Sequence, residues 1–242
     1  MDYRQRLYAR YISTHFGAGE RYALQTENPL LGKYYRLNYL RHLPPEKSAR
    51  ILDIGCGMGQ FLECLRAEGY ANAAGIDRSD EVVQYGLSRG LTVEKADALE
   101  HLSRHRDTYD AIVLNDVVEH FTKPELFEVI GACHDALRAN GVILIKTVNA
   151  ANPIMGAHSL AIDLSHECLL SEESLAQLLN VFSFREVRVL PLNIYADPRN
   201  PVHWIARGVA AGLNLFWRFL HALYGRPGTR CFTKSILAVG RK

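Results

Sequence analysis

The segment Ile51-Leu52-Asp53-Ile54-Gly55-Cys56-Gly57-Met58-Gly59-Gln60-Phe61 constrains this chain more than any other. It reads as a buried strand, a glycine-rich turn and the first turn of a helix. Glycine at alternate positions lets the backbone pass close beneath a ligand, because no side chain intervenes. The helix that follows points its unpaired N–H groups toward the same place. A dinucleotide loop requires Gly-x-Gly-x-x-Gly, but here the third glycine, Gly59, comes one residue early and Gln60 stands in its place. Asp53 lies in the strand just before the turn, where it repels a pyrophosphate and welcomes a cation such as the aminoacyl-sulfonium end of S-adenosylmethionine. The plainer alternative is a structural strand-turn-helix with no ligand.

The rest of the chain extends this pattern. Strand-like segments at Arg50–Ile54, Ala73–Ile76, Leu91–Glu94, Tyr109–Leu114 and Val142–Thr147 alternate with helix-like ones at Gln60–Glu68, Ser79–Ser88, Ala98–Ser103 and Lys123–Arg138. Near-continuous apolar strands separated by helices predict a doubly wound, mostly parallel α/β sheet covered on both faces. Two helices, Asp2–Phe16 and Leu30–Leu43, precede it, the second halted by Pro44-Pro45. Val148–Cys168 reads as irregular and is followed by a helix from Ser171 to Val181. Phe184–Leu190 and Ser235–Val239 supply the last two strands, with an insertion over Asn193–Thr233 that holds an apolar helix at Val202–Tyr224. The expected organisation is one domain over residues 1–242: a helical cap (1–45), a ligand-binding core (46–148) and an acceptor-side half (149–242).

At the carboxyl ends of such strands two acidic residues take positions suited to a nucleoside ligand. Asp77 ends the second strand, where it can accept two ribose hydroxyls, a role common to NAD and S-adenosylmethionine sites. After the third strand, Asp97-Ala98 can meet an adenine edge, and Asp97 can equally cap the helix it precedes. The fourth strand ends Leu114-Asn115-Asp116-Val117-Val118-Glu119-His120-Phe121.

Together with Asp53–Gly59, Asp77, Asp97-Ala98 and Leu137-Arg138-Ala139-Asn140-Gly141-Val142, this segment resembles the class I S-adenosylmethionine-dependent methyltransferases over about Arg50 to Lys146. The resemblance implies a seven-stranded sheet with its last strand antiparallel, and S-adenosylmethionine as cofactor with S-adenosylhomocysteine as product. It further implies Asp53, Gly55, Cys56, Gly57 and Gly59 around the methionine moiety, Asn115 beneath it, Asp77 at the ribose and Asp97 with Ala98 at the adenine. His120 lies beyond, facing the transfer site.

The acceptor falls to the less regular half. Methyl transfer is an in-line displacement, so the protein must align the acceptor and, for a hydroxyl, remove its proton. Asn149-Ala150-Ala151-Asn152-Pro153, Asp163-Leu164-Ser165-His166-Glu167 and Leu170-Ser171-Glu172-Glu173-Ser174-Leu175 resemble a subgroup of bacterial polysaccharide and glycolipid O-methyltransferases. The resemblance implies a glycan, sugar or small-molecule acceptor. Candidate catalytic residues are His166, His120 and Asp163, with either histidine as base. Asp163 and His166 can instead simply order the loop, with Glu173 closing a capping box from Ser171. The rival enzyme reading is a quinone- or phenol-type O-methyltransferase at a membrane surface, and the rival from another class is a non-catalytic S-adenosylmethionine-binding protein.

Nucleic acid is not expected as substrate. The fourth strand lacks the Asn/Asp-Pro-Pro-Tyr of nucleobase-amino methyltransferases, and no Pro-Cys nucleophile exists. No metal is expected: His101 and His105 lack a third ligand and read as a solvated helix face, and Asp116 with Asp163 or Glu167 makes only a weak magnesium set. Five cysteines without a C-x-x-C pair, and a first segment with no apolar signal core, predict a reducing, cytoplasmic setting.

Charge is unevenly placed. From Pro198 to Lys242 there are eight basic residues and no Asp or Glu, while the first 197 residues carry a balance of −6. The apolar helix within this basic portion, with Trp204, Trp217, Arg207 and Arg218, admits two readings. It is an interfacial helix on anionic lipid at the inner face of the membrane, or a lid or homodimer helix packed on protein.

Overall fold

The computed structural model describes residues 3–8, 29–192 and 199–242. Seven strands, β1 (Arg50–Ile54), β2 (Asn72–Asp77), β3 (Val93–Lys95), β4 (Tyr109–Asn115), β5 (Leu137–Val148), β6 (Arg185–Pro191) and β7 (Ser235–Arg241), form one sheet in the order β3-β2-β1-β4-β5-β7-β6. β1 to β5 run parallel and β7 is antiparallel to both β5 and β6. This is the doubly wound, Rossmann-like sheet that the alternation predicts.

Alternate residues of the central strands feed opposite faces. Leu52, Ile54, Ile112, Leu114, Ile143 and Ile145 join one core with α5 (Ala98–Ser103), α6 (Lys123–Ala136) and α8 (Glu172–Val181). Ile51, Ala111, Val113, Val142 and Leu144 join the other, against α3 (Gln60–Ala67), Tyr39 and the end of α2 (Pro29–Asn38). A strand buried on both sides has no room for a polar residue without a purpose, yet Asp53 sits there at 1 % exposure. The strand order reverses at β1 and β4, so the crevice above their carboxyl ends is the ligand site of such a sheet.

Local signals set the helix starts. Asp97 caps α5 through Leu99 N–H at 2.9 Å and Glu100 N–H at 3.2 Å. Thr122 and Glu125 form the capping box of α6. The box at α8 differs from expectation: its partner to Ser171 is Ser174, while Glu173 turns outward to accept from Ser171 Oγ at 2.7 Å and Thr229 Oγ1 at 2.6 Å. The remaining helices are α1 (Tyr3–Tyr8), α4 (Asp80–Ser88), α7 (Met155–Ile162) and α9 (Pro201–Leu223). α7 corrects the expectation of an irregular Val148–Cys168. Of the predicted Asp2–Phe16 helix, Tyr3–Tyr8 is helical and residues 9–16 lie outside the described residues, as do 193–198 of the insertion.

Two further expectations change, and a third stays open. The third strand begins at Val93, because Leu91 turns inward to pack where a Cβ on Gly59 would meet it at 2.3 Å. His101 is not on a solvated face: it is 8 % exposed, shares a 2.7 Å hydrogen bond with Tyr109 and stacks on His105 at 4.2 Å. The apolar insertion helix α9, expected either on lipid or packed on protein, has no fully buried residue, and His203, Asn214, Trp217 and His221 are half-buried.

Candidate active site

The glycine loop connects β1 to α3 through three left-handed residues, Gly55 (φ 64°), Gly57 (φ 51°) and Gly59 (φ 77°). A Cβ on Gly55 would stand 2.4 Å from Val117 Cγ2, so close packing against the segment after β4 excludes any other residue. At Gly57 a Cβ would meet nothing within 4 Å. That glycine keeps space open toward the crevice rather than making room for a protein neighbour. Cys56 is buried between loop and sheet, its N–H on the Ile76 carbonyl at 3.0 Å, and burial pushes its thiol well above the ordinary range.

Register gathers the acidic residues around this loop. Asp53 pairs across the sheet with Gly75 and Val113, and Ile54 with Ile76 and Leu114, which brings Asp77 and Asn115 to either side of Gly55. Asp77 accepts from Ser79 N–H at 2.9 Å and Gly57 N–H at 3.2 Å, tying β2 to the loop. Asp97 lies further along, its second oxygen paired with Arg78 at 2.9 Å, and Ala98 beside it is buried.

Asp53 Oδ1 and both amide atoms of Asn115 are buried and make no well-formed hydrogen bond within the protein, although the Asn115 amide is near enough to the Asp53 carboxyl to favour its charge. Burial, and then the Asp77 charge, raise the Asp53 carboxyl to about 8, with the Asn115 amide opposing. Orphaned polar atoms of this kind are costly unless a ligand completes them. An acceptor carboxylate, a two-sided amide and an open glycine cradle fit the amino-acid end of S-adenosylmethionine.

On the acceptor side, Asp163 (6 % exposed) and Ser165 (0 %) face inward while Leu164 between them is 80 % exposed. Asp163 Oδ1 accepts from Ser165 N–H at 2.8 Å and Ser165 Oγ–H at 2.5 Å. Ser165 Oγ stands 2.8 Å from His120 Nδ1. Because the serine proton is committed to Asp163, Nδ1–H of His120 donates to the serine oxygen, leaving the lone pair on Nε2. Burial, reinforced by neighbouring His166, lowers His120 to about 4. The His166 ring meets that of His120 at 4.7 Å, and its Nδ1 donates to the Ser159 carbonyl at 2.6 Å, tying the loop to α7.

Three features escaped the sequence reading. Ser165, noted only as a motif position, is the link between His120 and Asp163. α1 closes over this side: Tyr3 hydrogen-bonds Glu167, Arg4 pairs with Glu125 at 2.7 Å, and the Tyr8 ring meets His120 edge-on at 6.3 Å. Beneath it Glu119, 2 % exposed, is raised to about 8 by burial and by Asp116. Asp116 itself is ion-paired with Lys146. Burial alone would lower Lys146, but Asp116, Tyr34 and Glu119 outweigh it and hold the ammonium above its ordinary value. Among the described residues no three His, Cys, Asp or Glu side chains cluster as a metal set.

Residues 28–188 match the family model described as a methyltransferase domain, and the chain belongs to that family. Its class is that of the S-adenosylmethionine-dependent methyltransferases. A ubiquinone biosynthesis O-methyltransferase of Xylella fastidiosa is 32 % identical over 120 residues, covering 47 % of this chain and 48 % of the relative. A second protein of that name, from Shewanella pealeana, is 32 % identical over 138 residues, covering 54 % and 55 %. The chain thus spans about half the length of the curated relatives it matches. A crystal structure of a S-adenosylmethionine-dependent methyltransferase from Archaeoglobus fulgidus shares the fold over the whole of both chains, at 20 % identity and a TM-score of 0.67.

Proposed function

We propose that the protein transfers a methyl group from S-adenosylmethionine to a hydroxyl of a phenol- or quinone-type small molecule, with His120 as the base. The observation that carries this reading is the hydrogen-bonded Asp163–Ser165–His120 chain, with Asp163 and Ser165 buried and His120 half-buried. When bound, the cofactor supplies a methyl group already activated on a sulfonium. Asp53 and Asn115 would hold its amino-acid end, the Gly55–Gly59 backbone its underside, Asp77 the ribose, and Asp97 with Ala98 the adenine edge.

His120, neutral at physiological pH because its conjugate acid is held near 4, would take the proton of an acceptor hydroxyl. As the proton arrives, Ser165 and Asp163 stabilise the imidazolium through Nδ1. In this reading His166 orders the loop through Ser159, and its Nδ1 bond to the Ser159 carbonyl supports His120 rather than His166 as the base. The relatives named for ubiquinone biosynthesis favour a phenolic acceptor, and the glycan acceptor suggested by the loop after β5 draws no support from them.

The test is turnover against catechols, hydroquinones and sugars, with His120→Ala and His166→Ala made separately. His120→Ala should lower kcat by roughly 10²–10⁴-fold while leaving S-adenosylhomocysteine affinity intact, and His166→Ala should cost less. Equal losses remove the assignment of the base. Turnover on sugars alone removes the phenolic acceptor, and none on any acceptor favours a binding protein.

A further inference from the structure

α9 is an amphipathic helix mounted the wrong way round for a globular protein. Ile205, Val209, Phe216, Phe219 and Leu223 recur at helical spacing along one stripe and are 50–69 % exposed. The opposite side holds His203, Asn214 and His221, half-buried against protein, together with Arg207 and Arg218, which stay exposed. Asn214 accepts from Phe232 N–H at 2.9 Å, and the His221 ring meets Phe232 at 4.5 Å. An apolar stripe of this length turned to water marks an interaction surface.

Charge selects the partner. The segment that carries α9 has eight basic residues and no acidic one from Pro198 onward, and of these Arg241 and Lys242 are paired with Glu186 and Asp107 away from the helix. Two copies meeting through α9 would bring like charges together, whereas an anionic surface would be attracted. No described helix is long and apolar enough to cross a membrane. Both ends of the insertion also return to adjacent antiparallel strands, β6 and β7. A helix held in this way can lie along a bilayer but not span it.

The insertion is moored to the acceptor side. Asn149 Nδ2 donates to the carbonyls of Cys231 (2.8 Å) and Thr233 (3.1 Å), and Asn152 Nδ2 to that of Phe232 (2.7 Å). The same loop leads to Ile154 and Leu164, exposed by 72 % and 80 %.

We infer that α9 docks the protein on an anionic lipid surface with its apolar stripe in the headgroup layer. The inference stands whether or not the acceptor is phenolic. Flotation of the full chain with phosphatidylcholine vesicles, with and without phosphatidylglycerol, tests it. Binding is expected only with phosphatidylglycerol, weakening as salt rises. Ile205→Glu with Phe216→Glu should reduce binding at least about tenfold, with S-adenosylhomocysteine affinity unchanged as the check that the fold is intact. Failure to float at low salt overturns the proposal, as does equal binding by the double variant. Concentration-dependent dimerisation that the double variant abolishes, without vesicle binding, assigns the stripe to a second copy instead.

Discussion

The crevice over β1 and β4 and the helix α9 break the same rule in opposite senses. In the crevice, polar groups are buried: Asp53 at 1 % exposure, Glu119 at 2 %, and the Asn115 amide without a well-formed hydrogen bond. In α9, apolar groups are exposed, with Ile205 at 69 % and Leu223 at 67 %. Each arrangement costs the isolated protein stability that ordinary packing would have given it. The difference lies in what relieves the cost. The crevice offers discrete, directional atoms and suits a small molecule of fixed shape. α9 offers an undirected stripe with diffuse charge and suits a surface.

The comparison requires that the sheet beneath the crevice carries the fold. Leu114 is fully buried in β4, one residue from Asn115. Leu114→Ala should destabilise by about 2–5 kcal/mol, through lost burial and the cavity left behind. Urea unfolding reads this directly. A loss below about 1 kcal/mol would mean that the sheet relaxes around the gap and is not the rigid support described.

Asp53 sharpens the comparison at the level of one group. Its folded-state carboxyl stands near 8 against an ordinary value near 3.8, so the folded protein holds this proton more tightly than the unfolded chain. The contribution to stability is present below about pH 4 and is lost as pH rises through about 8. Asp53→Asn should therefore raise the melting temperature of the ligand-free protein more at pH 8 than at pH 5. The same change should weaken S-adenosylhomocysteine binding by about 1–3 kcal/mol, the cost of a lost charge-assisted hydrogen bond. In the unaltered protein, binding should tighten and release a proton between pH 6 and 8, measured by calorimetry in buffers of differing ionisation enthalpy. Proton uptake, or unaltered affinity in Asp53→Asn, would place the ligand's amino group elsewhere.

How much of this was legible depended on how local each signal is. β1 and α5 fall at the predicted residues, because one is an apolar run before a glycine turn and the other begins at its own Asp97 cap. Asp53 stood out as an acid inside an apolar strand. α7 did not, because Met155–Ile162 is short and its apolar residues form no stripe. Ser165 was legible as a neighbour of Asp163 but not as the link to His120, since that pair meets only when residues 45 apart in sequence are folded together. The bounds of α9 were readable to one residue, yet its orientation was not. A helical period shows that two faces differ, but not which of them the protein turns outward.

That orientation is open to a stability measurement. If the apolar stripe of α9 faces water in the free protein, replacing Phe216 and Phe219 by Gln removes only the edge contact of Phe216 with Trp217 (5.3 Å) and leaves no cavity. Their exposures are 50 % and 58 %, and the two residue types differ little in helix propensity. The double variant should therefore unfold within about 0.5 kcal/mol of the parent in vesicle-free buffer. A loss of 2 kcal/mol or more, in the range of a buried aromatic, would show the stripe already covered in solution. The lid or dimer reading would then return, and the contrast between a buried polar crevice and an exposed apolar helix would fail on its second term.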